Sequence, residues 1–188
     1  MELKVWAKTL LTVYKYLEKI ADTIDKLVVD KSLNTISDDA FNVANEIIKL
    51  TERKITLINL KVLIESALSK LSEQKSKLLI LKFFDCLTCE DTAKLEGISI
   101  RTYFRHIDNA LTTFTSELKL LGLDENYIDY NFKHEKWLYS LYNRLLAQEL
   151  NKKQSCTQKD NIELQNNILK LLCNAYGARR NQSFIMKA

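Results

Sequence analysis

Two cysteines three positions apart, Cys86 and Cys89, are the first residues whose type and spacing point to chemistry. A Cys-x-x-Cys pair supplies half of a tetrahedral zinc site, and such a site needs a second pair of Cys or His ligands. His106, His134, Cys156 and Cys173 are the other candidates, and no two of them stand at ligand spacing. A thioredoxin-like redox site belongs beside a βαβ unit, and no strand pattern is present. The cysteines therefore read as small buried hydrophobes. There is no glycine-rich phosphate loop and no HExxH, and neither histidine falls in a triad context. The acidic pairs Asp38–Asp39, Glu90–Asp91 and Asp124–Glu125 lie at expected helix starts, where the helix dipole favours negative charge. The expectation is a protein that is not an enzyme and uses no cofactor and no metal.

A different chemistry is carried by FDCLTCEDTAKLEGISIRTYFRHIDNAL, from Phe84 to Leu111. Thr88 can cap a helix, with Asp91 three residues on in a capping-box-like pattern. Thr92, Ala93 and Leu95 are expected to face inward. Gly97 supplies a turn where a left-handed backbone costs least, and Ile98 plugs the core. Ser99 caps a second helix. Its buried side is expected to carry Ile100, Tyr103, Ile107, Ala110, Leu111 and Phe114. Arg101, Thr102, Arg105, His106 and Asn109 are left facing outward near the helix start. A helix in the major groove presents such side chains to base edges and phosphates.

This stretch resembles the helix-turn-helix of sigma-70 region 4, whose general pattern is L-S-x-x-E-I-A-x-x-L-G-I-S-x-x-T-V-x-x-R-L-x-x-A-L. Leu87, Ala93, Gly97, Ile98, Ser99, Thr102, Ala110 and Leu111 fall on it. LSEQKSKLLILKFFDC, just before it, resembles the first helix of that region, and the resemblance covers about residues 71–115. The segment Arg101 to Arg105 is also similar to small sigma-like regulators of phage and mobile elements in low-GC bacteria. By this resemblance Ser99 to Leu111 is the recognition helix. Ser99 starts it, Arg101 and Arg105 carry most of the DNA contact, Thr102 and Asn109 add hydrogen bonds, and His106 meets the backbone. Thr92 departs from a usual Ile or Val, Glu96 from a usual apolar residue, and Phe104 from a frequent DNA-facing Lys. No promoter-melting motif accompanies the reader, so a regulator is expected rather than a complete sigma factor.

The elements that position this reader are helical. The chain has 188 residues, no proline and three glycines, and 46% of it is hydrophobic, which argues for long helices around a real core. Leu3, Trp6, Leu10, Val13, Leu17, Ile20, Ile24 and Leu27 alternate spacings of three and four, the seam of a helix packing along its length. An intramolecular core helix is the plainer reading, a dimer seam the alternative. Ser37, Asp38 and Asp39 can cap a following stretch, Ala40 to Leu71, that reads as one long helix or two. Ser72 offers the next cap and Gly122 a helix end. Helix resumes past Asp124 with Trp137, Leu138, Leu141, Leu145 and Leu146 on one face. Residues 151–160 read as a polar linker, residues 162–176 as a last amphipathic helix ended by Gly177, and the final eleven residues as frayed.

Charge is unevenly spread. Residues 1–70 carry 11 basic and 10 acidic side chains, residues 71–118 carry 6 and 7, and residues 119–188 carry 11 and 7. The reader is not basic, so affinity must come from elsewhere. Dimerisation through the first helix and phosphate contacts from Lys152, Lys153, Arg179 and Arg180 are the expected sources. No apolar run is long enough to span a membrane and no signal peptide is evident, so a cytoplasmic protein without a membrane partner is expected.

The expectation is an all-α fold, a helical bundle flanking a sigma region 4-like helix-turn-helix. Residues 1–71 form a packing or dimerisation region, 72–118 the DNA-binding domain and 119–188 a C-terminal helical region. The function expected is sequence-specific binding of double-stranded DNA to regulate transcription, with RNA polymerase and a second copy of the chain as further candidate partners. The rival is a helical interaction protein, with RNA polymerase or a phage component as partner, in which the helix-turn-helix only packs.

Overall fold

The first helix, α1, runs from Glu2 to Leu33, and its heptad seam is spent inside the chain. In the computed structural model, which describes residues 2–33, 40–150 and 170, Trp6, Leu10, Val13, Leu17, Ile20 and Ile24 are all buried. Leu3 and Leu27, at the two ends of the seam, are half-buried and packed on the same core. The flanking Ala7, Thr9, Tyr16 and Ala21 are buried as well. A stripe this wide suits a bundle rather than a two-stranded coil. Against it pack α2 (Ala40–Ser69), α5 (Ile100–Leu120) and α7 (Lys136–Leu150). The dimer contact expected of this seam is therefore unavailable to it, because the chain's own helices occupy it.

α2 is one continuous helix; Thr51 and Thr56 bond back to the carbonyls of Ile47 and Glu52 instead of starting a new one. Its core side carries Leu57, Leu60, Ile64, Ala67 and Leu68. Ion pairs Lys54–Asp25, at 2.7 Å, and Lys61–Glu18, at 3.2 Å, line its junction with α1. α3 (Glu73–Leu79) follows. Ser72 stands at its N-cap but uses only its backbone carbonyl, which accepts from Ser76 N–H at 3.0 Å; the hydroxyl makes no cap bond.

Past α3 the chain widens into a π-helical turn, Ile80–Phe84. Phe84 stacks on Tyr14 of α1 at 4.4 Å between ring centroids. α4 (Cys89–Leu95) and α5 complete the helix-turn-helix. α5 ends at Gly122, φ +83°, in a Schellman motif: Leu123 N–H reaches Leu118 O at 2.9 Å and Gly122 N–H reaches Lys119 O at 3.0 Å.

The helix expected past Asp124 is two helices, α6 (Glu125–Phe132) and α7. Asp124 caps α6, its carboxylate accepting from Tyr127 N–H at 2.8 Å. The break falls at Lys133 to Glu135, and Glu135 is buried there. Its carboxylate accepts from Arg53 Nε at 2.8 Å, Arg53 Nη2 at 3.0 Å and Trp137 Nε1 at 2.6 Å. Trp137, Leu138 and Leu141 are buried as expected, and Tyr142 stacks on Trp6 at 4.1 Å. The linker and last helix expected over 151–176, residue 170 apart, and the caps expected at Ser37 to Asp39, lie outside the described residues. Every described element is α- or π-helical, so the fold is all-α.

Candidate nucleic-acid interface

The turn between α4 and α5 is built by caps on both sides. Thr88 Oγ1 accepts from Asp91 N–H at 3.0 Å and its hydroxyl donates to Asp91 Oδ2 at 2.6 Å. α4 ends in a second Schellman motif, with Ile98 N–H on Ala93 O at 3.0 Å and Gly97 N–H on Lys94 O at 3.2 Å. Gly97 sits at φ +63°, where a side chain is strained. Two residues on, Ser99 Oγ accepts from Thr102 N–H at 3.1 Å and starts α5. These are local contacts, so the sequence specifies the turn before any tertiary packing.

Packing then fixes the angle between the two helices. Ala93 is buried where α4 meets α5, beside Tyr103, Ile107, Ala110, Leu111 and Phe114 on the inner side of α5. Thr92, unusual at its position, is fully buried, and its hydroxyl bonds Thr88 O at 2.8 Å. It thus keeps the shape of a β-branched residue while its polar atom is satisfied. Glu96 pairs with Lys77 of α3 at 2.8 Å, and that carboxylate raises the Lys77 pKa through its hydrogen bond first and its charge second. Phe104 is half-buried on the core and edge-on to Tyr103 at 5.4 Å, so it packs and does not stand out toward a ligand.

Two inward assignments fail. Leu95 is 61% exposed and Ile100 46%. Leu95 is the last residue of its helix and Ile100 the first of the next. Both flank the turn, where the neighbouring helix has already diverged and cannot cover them.

Ser99, Arg101, Arg105, His106 and Asn109 are all exposed, on the side of α5 away from its core face. Thr102 differs. It is half-buried and its hydroxyl lies 2.9 Å from Ser99 Oγ, so it belongs to the cap as much as to the outer face. Farther along, Asp108 pairs with Lys4 of α1 at 2.5 Å, and Lys75 of α3 donates to Thr113 at 2.8 Å, next to Asn109. Lys4 thus brings to the reader a positive charge that a count over residues 71–118 misses, and Lys75, within that count, is held beside the outer face of α5. No local signal pointed to Lys4, which lies 104 positions from its partner.

Cys86 and Cys89 differ in their surroundings. Cys89 is buried, and Cys86 is half-exposed with φ +55° in the connection to α4, its sulfur 3.4 Å from Lys15 Nζ. Among the described residues no three His, Cys, Asp or Glu gather to hold a metal ion. No helix among the described residues is long and apolar enough to cross a membrane.

Residues 61–113 match the profile of the family described as Sigma-70, region 4. The match begins in the last third of α2, takes in α3, the π turn and α4, and ends within α5. It covers just over a quarter of the chain. No curated protein and no solved structure matches the chain at a significant level. This segment is a sigma-70 region 4-like helix-turn-helix, the kind of module that binds DNA.

Proposed function

We propose that the protein regulates transcription by sequence-specific binding of double-stranded DNA, with α5 as the recognition helix. The observation that carries this is the outer face of α5. Arg101, Arg105, His106 and Asn109 stand exposed over the first three turns, on a helix whose start is held by the Ser99 cap. Arg101 and Arg105 are four apart and share a side of the helix, so both can enter one groove. Arg can bond guanine bidentately or pair with phosphate. Asn109 suits an adenine edge, and His106 and the Ser99 hydroxyl suit the backbone. Thr102 contributes by holding the helix start. On this reading the protein works where the genome is, in the cytoplasm of a bacterial cell.

The exposed Leu95 and Ile100 favour a protein contact beside the DNA face, and RNA polymerase is the partner that the region 4 likeness implies. That contact would accompany DNA binding.

The test is fluorescence anisotropy on a pool of AT-rich duplexes at two salt concentrations, with wild type beside Arg101→Ala/Arg105→Ala. The expected result is salt-sensitive binding that the variant loses while its helix content stays unchanged. Absence of wild-type binding at low salt would refute the reading and favour a pure interaction protein.

A further inference from the structure

α2 carries two apolar faces, and the bundle uses only one. Opposite the buried Leu57, Leu60 and Ile64, four large side chains face solvent: Ile48 at 54% exposure, Ile55 at 52%, Ile58 at 41% and Val62 at 51%. Their spacing is heptad. Ile48, Ile55 and Val62 recur every seventh residue, and Ile58 stands three after Ile55, as Thr51 does after Ile48. Phe41 and Ala44, both exposed, continue the pattern one heptad earlier. Such a repeat is the seam of a coiled coil, and nothing in the packing of α1, α5 or α7 explains it.

We propose that this face is a homodimer seam, in which α2 of one copy lies parallel and in register against α2 of a second copy. Three observations select that occupant. Ile, Ile and Val at the first position of successive heptads are the β-branched choice that favours two parallel strands. In that arrangement the flanking Ile47, Lys54 and Lys61 meet Glu52, Asn59 and Ser66 of the second copy, so no like charges oppose one another. Lys54 and Lys61 are moreover already paired with Asp25 and Glu18 of α1, which leaves the seam close to neutral.

Size fits as well. From Phe41 to Val62 the stripe runs about 32 Å along a helix roughly 10 Å across. The stripe spans about three heptads, enough for successive layers of seam contacts.

A parallel pair places both readers, which follow the C-terminal end of α2, at the same end of the dimer. The inference does not depend on DNA binding.

The test is sedimentation equilibrium of the full-length chain from low to high micromolar concentration, with Ile55→Glu, Ile55→Lys and their equimolar mixture. Because Ile55 is half-exposed, each variant should keep the wild-type circular dichroism; Val62→Glu and Val62→Lys are the equivalent pair should either fail to fold. The expected wild-type mass is twice 21.9 kDa. Each single variant should dissociate, with its Kd raised about a hundredfold or more. The mixture should return to the dimer, because only a parallel in-register seam sets position 55 of one copy against position 55 of the other. A monomeric wild type would overturn the proposal and point to the C-terminal segment or a foreign protein as the cover. A dimer indifferent to the charges, or a mixture that stays dissociated, would overturn it too.

Discussion

The buried carboxylate of Glu135 offers the sharpest test of the tertiary arrangement. It is 5% exposed and accepts three hydrogen bonds, two from Arg53 in a bidentate fork and one from Trp137. Arg53→Ala removes both bonds of the fork from a carboxylate that stays buried beside the indole. Breaking a fully buried pair from one side costs about 3–5 kcal/mol. The Arg53 side chain is itself 37% exposed, so water can reach the vacated place and the cost should fall to about 2–3 kcal/mol. On a chain of this length that is a fall in Tm of roughly 5–10 °C. Glu135→Gln alone should also destabilise, since an amide cannot accept from both Arg53 nitrogens. Arg53→Ala with Glu135→Gln should lose less than the two single losses together, by about 1–3 kcal/mol. Urea unfolding of the four proteins, followed by far-UV circular dichroism, measures each quantity. Should Arg53→Ala lose less than about 0.5 kcal/mol, in the range of exposed pairs, the fork does not form and the placement of the α6–α7 connection beside α2 is wrong.

Further expectations follow from the same structure. Losing both Arg101 and Arg105 should weaken DNA binding by about 2–5 kcal/mol and flatten the slope of log K on log salt for each phosphate contact removed, by about 0.9; parallel anisotropy titrations read both. At Gly97 no atom lies within 4 Å of an added Cβ, so Gly97→Ala should cost only the left-handed backbone penalty of about 1–2 kcal/mol. Gly97→Asn should cost less, and equal losses in denaturant melts would refute the turn geometry. Burial foremost pushes Tyr14, Tyr16 and Tyr139 up to about 12, with Glu65 adding to it at Tyr14 and Asp129 at Tyr139. The unfolded chain ionises these hydroxyls near 10 while the folded chain keeps them protonated, so stability should fall as pH rises from about 10 to 12. Absorbance titration at tyrosinate wavelengths should show their ionisation delayed relative to the urea-unfolded chain. Tyr16→Phe should remove one delayed group without destabilising the fold, because its buried hydroxyl has no hydrogen-bond partner among the described residues.

The sequence by itself determined whatever depends on contacts within one helical turn. Thr88, Gly97, Ser99, Gly122 and Asp124 act as caps or turns where their types predict, because each bonds a backbone group no more than five residues away. The outer face of α5 was legible for the same reason: a 3.6-residue period fixes which side chains lie opposite Tyr103 and Ile107. Local pattern could not say which apolar stripe would be covered and by what. α1 and α2 both carry heptads of apolar residues, yet the bundle buries the seam of α1 and leaves the one on α2 exposed. Leu95 and Ile100 satisfy the inward pattern and still face out, since exposure at a helix end depends on where the neighbouring helix turns away. The split between α6 and α7 was hidden because the break is held by Glu135, whose partner Arg53 is 82 positions distant. Lys4 joins the reader from still farther along the chain. Such pairings arise from competition among all the chain's surfaces for one core, and only the folded arrangement decides it.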